Sequence, residues 1–177
     1  MADLEEDRAH YSPPWAGVSI IGIAGSSGSG KSTLSHAIVS QMNLPWVCIL
    51  SMDSFYKTLD AEASRRAFLN EYDFDSPNAI DFDVLVDRLR DLKAGSLLYF
   101  LLAPATFFIL LISSYRKRAE IPIYSFAKHA RQKETTSIYS PHVLILEGIF
   151  ALYDPRVLEL LDMKVSAVGK RDGSRLY

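Results

Sequence analysis

The run Gly25-Ser26-Ser27-Gly28-Ser29-Gly30-Lys31-Ser32 fits Gly-x-x-x-x-Gly-Lys-Ser, and its flanks leave few folds open to it. Ahead of it, Val18 to Ala24 is an apolar run of strand length. Behind it, Leu34, Ala37, Ile38 and Met42 recur at helical spacing. Strand, glycine-rich loop and helix, in that order, form the context in which such a loop cradles phosphates. Glycines let the backbone curve closely with its N–H groups inward. The helix N-terminus adds about half a positive charge. On this reading Gly25, Ser26, Ser27, Gly28, Ser29, Gly30, Lys31, Ser32 and Thr33 hold the triphosphate of ATP or GTP. Lys31 reaches the β- and γ-phosphates, and the Ser32 hydroxyl ligates Mg²⁺. The competing reading is a glycine-serine linker, but linkers are seldom framed by an apolar strand and an amphipathic helix.

At 177 residues, 49 % apolar and 23 % charged, the chain has the size and composition of one globular domain. A net charge of −2 with no basic stripe argues against nucleic acid as a partner. The single cysteine, Cys48, cannot form an internal bridge and points to a reducing, cytoplasmic setting. It sits in Trp46-Val47-Cys48-Ile49-Leu50, which reads as a second buried strand. Residues 1–16, acidic and polar with two prolines, lack the basic start and apolar core of a signal peptide and read as a flexible tail.

Further along, Asp60 to Asn70 has mixed helical character. Asp81 is a candidate N-cap for a helix to about Leu92, with Phe82, Leu85, Val86 and Leu89 on one face and Gly95 as its stop. Val143 to Leu146 reads as a buried strand ending in Glu147-Gly148. Asp154-Pro155 opens a helix through Leu161, and Met163 to Ser166 begins another strand. Apolar strands alternating with helices predict an α/β fold, a parallel sheet with helices on both faces. The uncharged stretch Ser96 to Ser113 is long enough to span a bilayer. Pro104 in its middle and basic residues at both ends speak against a span. So does topology, since one crossing would separate Lys31 from Glu147.

Three acids stand where chemistry would need them. Asp53 closes a strand beside the loop, where a carboxylate could accept a proton from an attacking hydroxyl. Glu147 ends an apolar strand and suits Mg²⁺. Asp75 lies among Tyr72, Phe74 and Pro77, where it could hold sugar hydroxyls. Each of the three could equally cap a helix or solvate a turn. A GTPase would need Asn-Lys-x-Asp, which is absent, and a mechanical ATPase a longer chain. Small-molecule kinase is what remains.

The chain resembles the uridine kinase (uridine–cytidine kinase) family of P-loop nucleoside kinases. The resemblance rests on Gly22 to Thr33, Asp53-Ser54-Phe55-Tyr56-Lys57 and Tyr72-Asp73-Phe74-Asp75-Ser76-Pro77. It continues in Ile121-Pro122-Ile123-Tyr124-Ser125-Phe126, His129-Ala130-Arg131 and Leu146-Glu147-Gly148-Ile149. It implies phosphorylation of uridine or cytidine at the 5′-hydroxyl, with Asp53 as base and Lys31 as the phosphate-binding lysine. It implies Mg²⁺ on Ser32, Glu147 and Asp53. Tyr56, Phe74, Tyr124, Phe126 and His129 would line the pyrimidine pocket, Asp75 would grip the ribose, and Arg131 would close the rim. Without the resemblance the aromatics read as ordinary core and His129 as a surface-loop histidine. The implied partner is a small nucleoside, with a homo-oligomer open to the full-length family.

Two departures qualify the match. Residues 96–118 form an apolar insert within a kinase domain of 17–165, of a composition foreign to the fold. Residues 166–177 match none of the family's lid, so the fold is expected to be incomplete at the C-terminus and turnover by this chain poor. Lys170, Arg171 and Arg175 are too poorly placed to replace the lid arginines. The alternatives are a non-catalytic nucleoside-binding pseudokinase, a membrane-attached P-loop protein, or a kinase of the phosphoribulokinase or pantothenate kinase kind. The flat-base segment Tyr124 to Arg131 weighs against the last.

Overall fold

The computed structural model describes residues 17–43, 46–101 and 118–167, with backbone only for 95–101. The expected terminal tails, save residues 166 and 167, and positions 102–117 of the apolar insert lie outside the described residues.

Four parallel strands form the main sheet in the order β2-β5-β1-β6: β1 (Ser19–Ala24), β2 (Val47–Ser51), β5 (Val143–Gly148) and β6 (Met163–Ser166). Central strands of a parallel sheet bury both faces, which is why β1 and β5 are continuous apolar runs. Alternate residues serve two cores. Ile21, Ile23, Val143 and Ile145 pack with Leu34, Ile38, Val39 and Met42 of α1 (Lys31–Met42). Val39 thus takes the place expected of Ala37, which is exposed. Ile20, Leu144 and Leu146 join the larger core with Leu85, Val86, Leu89 and Leu92 of α3 (Phe82–Leu101) and Val157 of α4 (Pro155–Leu160). Each of these side chains is worth about 1.5–3 kcal/mol when fully buried.

The helix caps act as their residue types predict. Asp60 Oδ1 accepts from Ala63 N–H at 2.7 Å and opens α2 (Ala61–Phe68). Asp81 Oδ1 accepts from Val84 N–H at 3.2 Å, and Asp154 Oδ1 from Arg156 N–H at 2.8 Å. One boundary differs from expectation. Gly95 does not stop α3, which runs on to Leu101. A single glycine costs a helix about 1 kcal/mol, too little to end one that continues into Ser-Leu-Leu-Tyr-Phe-Leu. Among the described residues no helix is long and apolar enough to cross a membrane.

A second sheet has no counterpart in the sequence reading. β3 (Arg118–Ser125) and β4 (Ala130–Tyr139) pair antiparallel, with a register shift between Pro122 and Tyr124. Proline cannot donate to a ladder, so it falls where the pairing is irregular. Ala119, Ile121 and Tyr124 turn to the large core, whereas most of β4 is exposed.

Candidate active site

The carboxyl ends of β1, β2 and β5 converge, and the register sets Glu147 of β5 beside Ile23 of β1 and Ser51 of β2. Open α/β sheets bind ligands at this edge. Here a cleft of about 300 Å³ is lined by Ser27, Gly28, Lys31, Ser32, Ser51, Asp53, Tyr56, Asp75, Phe126, Glu147, Gly148 and Ile149.

One wall is the glycine-rich loop. Gly28 and Gly30 take φ of +74° and +87°, a backbone conformation in which side chains are strained. Gly30 precedes α1 and no side chain caps that helix, so its first N–H groups are left for an anion. Lys31 arches back over the loop and donates through Nζ to the Ser26 carbonyl at 2.8 Å. Thr33 is exposed on α1 and does not line the cleft.

A second wall, adjoining the loop, is acidic. Asp53 sits on a 3-10 turn, Met52–Phe55, directly after β2, and its N–H is taken by Ser51 Oγ at 3.3 Å. Burial pushes its carboxyl above the ordinary aspartate range. Glu147 adds to the rise and Lys31 opposes it. Ser32 Oγ donates to Glu147 Oε1 at 3.1 Å. A hydroxyl and two mutually repelling carboxylates are hard oxygen donors, and Mg²⁺ bound beside phosphates uses such a set. Ser32, Glu147 and Asp53 therefore fit that ion.

The third wall is aromatic. Tyr56 and Phe126 meet edge-on with centroids 5.4 Å apart, and Tyr56 packs against Tyr124 at 5.3 Å and Phe74 at 5.6 Å. Burial foremost, then Asp53 and Asp75, pushes the Tyr56 hydroxyl up to about 12. It donates to the Phe74 carbonyl at 3.3 Å.

Of the substrate residues expected from the resemblance, Tyr56, Asp75 and Phe126 line the cleft, while Phe74, Tyr124 and His129 stand behind it. His129 stacks on Phe74 at 5.3 Å and meets Phe68 edge-on at 4.8 Å. Among the described residues its Nδ1 and the Tyr124 hydroxyl are buried without a hydrogen-bond partner, polar atoms that a ligand could satisfy. Arg131 does not face the cleft. Its Nε donates to the Tyr56 carbonyl at 2.9 Å, and Nη2 to the Phe55 carbonyl at 3.2 Å and Asp81 Oδ2 at 3.1 Å. Sequence reasoning missed Ser51, Gly148 and Ile149 as lining residues. Their position at or just beyond the ends of β2 and β5 was the available signal.

A doubly covered parallel sheet, a glycine-rich loop feeding α1 and acids at the strand ends define a P-loop kinase fold. The family described as "Phosphoribulokinase / Uridine kinase family" matches residues 20–98 and 109–172. The chain belongs to this family. A uridine kinase of Schizosaccharomyces pombe is 48 % identical over 155 residues, covering 88 % of this chain and 30 % of the relative. A uridine kinase of Saccharomyces cerevisiae is 42 % identical over 158 residues, covering 89 % and 27 %. The chain thus spans less than a third of the length of these curated relatives. A solved structure described as a possible uridine kinase from Bacillus stearothermophilus superposes with a TM-score of 0.56 at 19 % identity, covering 85 % of this chain and 70 % of that one. That likeness speaks to the fold alone.

Proposed function

We propose that this chain phosphorylates uridine or cytidine at the 5′-hydroxyl, with ATP or GTP as donor. The observation that carries the reading is one cleft holding three kinds of wall: Lys31 and Ser32 for phosphate, Asp53 and Glu147 for acid chemistry, Tyr56 and Phe126 for a flat ring. The uridine kinase names of its relatives support the same acceptor. In this arrangement Lys31 leaves the Ser26 carbonyl for the β- and γ-phosphates. The uncapped first turn of α1 takes phosphate oxygens. Asp53 accepts the proton of the sugar hydroxyl as the hydroxyl oxygen attacks the γ-phosphorus and the bond to the bridging oxygen breaks, releasing the nucleoside diphosphate. Burial supports this role by raising the basicity of the carboxylate. Asp75 holds ribose hydroxyls, and Tyr56 and Phe126 flank the base with Tyr124 and His129 behind. Bound Mg²⁺ would neutralise charge on the β- and γ-oxygens. Lone Cys48 fits work in the cytoplasm.

The test is incubation with labelled ATP, Mg²⁺ and a panel of acceptors: uridine, cytidine, inosine and ribulose 5-phosphate. Label in UMP or CMP above the other acceptors, at any rate, is the expected result. Transfer to the sugar phosphate instead, or no transfer with no calorimetric binding of uridine, would overturn the proposal.

A further inference from the structure

Ser35 is a buried hydroxyl that the phosphate loop does not account for. Among the described residues it and Asp154 are the buried polar or charged ones, and Ser35 is fully enclosed. Alanine would favour the helix more at this position and bury no polar atom. Ser35 Oγ lies 3.0 Å from the Lys31 carbonyl, the usual back-bond of a helical serine, and 3.4 Å from Glu147 Oε2. Ser32, on the same face of α1, donates to the other oxygen of that carboxylate at 3.1 Å. Two hydroxyls less than one turn apart thus flank one carboxylate, each on its own oxygen. A hydroxyl has a single proton to give. Within α1 the Lys31 carbonyl is already served by the helix ladder, so the proton does more for Glu147.

We propose that Ser35 is a positioning residue for the cation: it holds Glu147 Oε2 against α1 so that the carboxylate's remaining lone pairs face the cleft. The inference rests on the nucleotide-binding reading above. A carboxylate free to rotate would meet the ion in several orientations, and partners that orient a metal ligand commonly matter tenfold or more for affinity. The long contact to Oε2 puts the expected effect at the lower end.

The test is calorimetric titration of ATP into the whole chain over a series of Mg²⁺ concentrations, for the wild type, Ser35→Ala and Ser35→Cys. ATP binding without Mg²⁺ should be unchanged in all three. The Mg²⁺ concentration giving half of the enhanced binding should rise about 3- to 10-fold in S35A. S35C keeps the volume with a poor donor and should follow S35A. Wild-type Mg²⁺ dependence in S35A, or in S35C while S35A is impaired, overturns the proposal, the second outcome showing a packing role instead. A wild type whose ATP binding ignores Mg²⁺ would also overturn the proposal, since no cation would be there for Ser35 to serve, whereas a wild type that binds no ATP at all would sink the nucleotide reading itself.

Discussion

Ser32 donates its hydroxyl to Glu147 across 3.1 Å, joining the first turn of α1 to the end of β5 over 115 positions of sequence. The contact brings the glycine-rich loop and the acidic strand end to one side of the cleft. It also explains why Asp53, on the turn that follows the neighbouring strand β2, feels both the repulsion of Glu147 and the attraction of Lys31. Each of these four residues lies at, or one position from, the end of an element, so the sheet edge itself sets their spacing.

Asp53→Asn should lower kcat by about 10²- to 10⁴-fold while moving the nucleoside KM only slightly. Stability should move the other way. The carboxyl's folded-state pKa is raised, so the folded chain holds this proton more tightly than the unfolded chain. Stability is therefore fully present below the unfolded pKa and falls as pH climbs through the folded one. D53N should melt above the wild type at pH 7, and the gap should close in acid. Thermal melts across pH check this, and a D53N that melts below the wild type at pH 7 would contradict it.

Arg131 ties the β3–β4 hairpin to the turn that carries Asp53, through the Phe55 and Tyr56 carbonyls and Asp81. Arg131→Ala should cost about 2–3 kcal/mol, because it leaves Asp81 and two carbonyls short of donors. For a chain of this size that is a fall of roughly 5–10 °C in Tm. Arg131→Lys should recover only part, since an ammonium cannot reproduce the planar fork. A rim residue would instead raise the nucleoside KM at unchanged Tm, and that result would return Arg131 to the role expected from its motif.

Gly148 follows Glu147, and a Cβ there would lie 2.6 Å from Met52 Cβ. Gly148→Ala must push the end of β5 away from the turn holding Asp53. Overpacking of this kind costs about 1–3 kcal/mol. The loss of kcat should exceed what the unfolded fraction explains, because Glu147 and Asp53 separate. Activity that tracks the folded fraction alone would show that the two acids keep their places.

The parts of the fold legible in the sequence are those whose signal is local. The strand–loop–helix at 18–42, the Asp81 and Asp154 caps and the β5 run each declare themselves within a few residues. The hairpin was hidden because Pro122 argues against a strand and β4 is polar along most of its length, as an exposed edge tolerates. In the site, the motif residues were readable by type, but their direction was not. Arg131 turns inward because Asp81, 50 positions away, meets it there. Ser35 escaped notice because a serine on a helix carries no sign of what it faces.

Asp154 supplies the last test. Its carboxylate caps α4 and pairs with Arg156, which also reaches Asp83 at 2.6 Å. The Arg156 side chain foremost holds the Asp154 carboxyl below its usual range. Asp154→Ala should cost about 1–2 kcal/mol through the lost cap. Asp154→Asn keeps the capping oxygen and should cost less. Because the folded pKa is depressed, the contribution is complete above the unfolded carboxylate pKa of about 3.9 and is lost as pH falls through the folded value. Urea melts of wild type and D154A should therefore differ by a constant amount from pH 5 to pH 8, approximate limits set by these ionisations, and draw closer in stronger acid, leaving the part that an uncharged capping oxygen supplies. A difference that did not shrink there would mean that the charge of Asp154 contributes nothing.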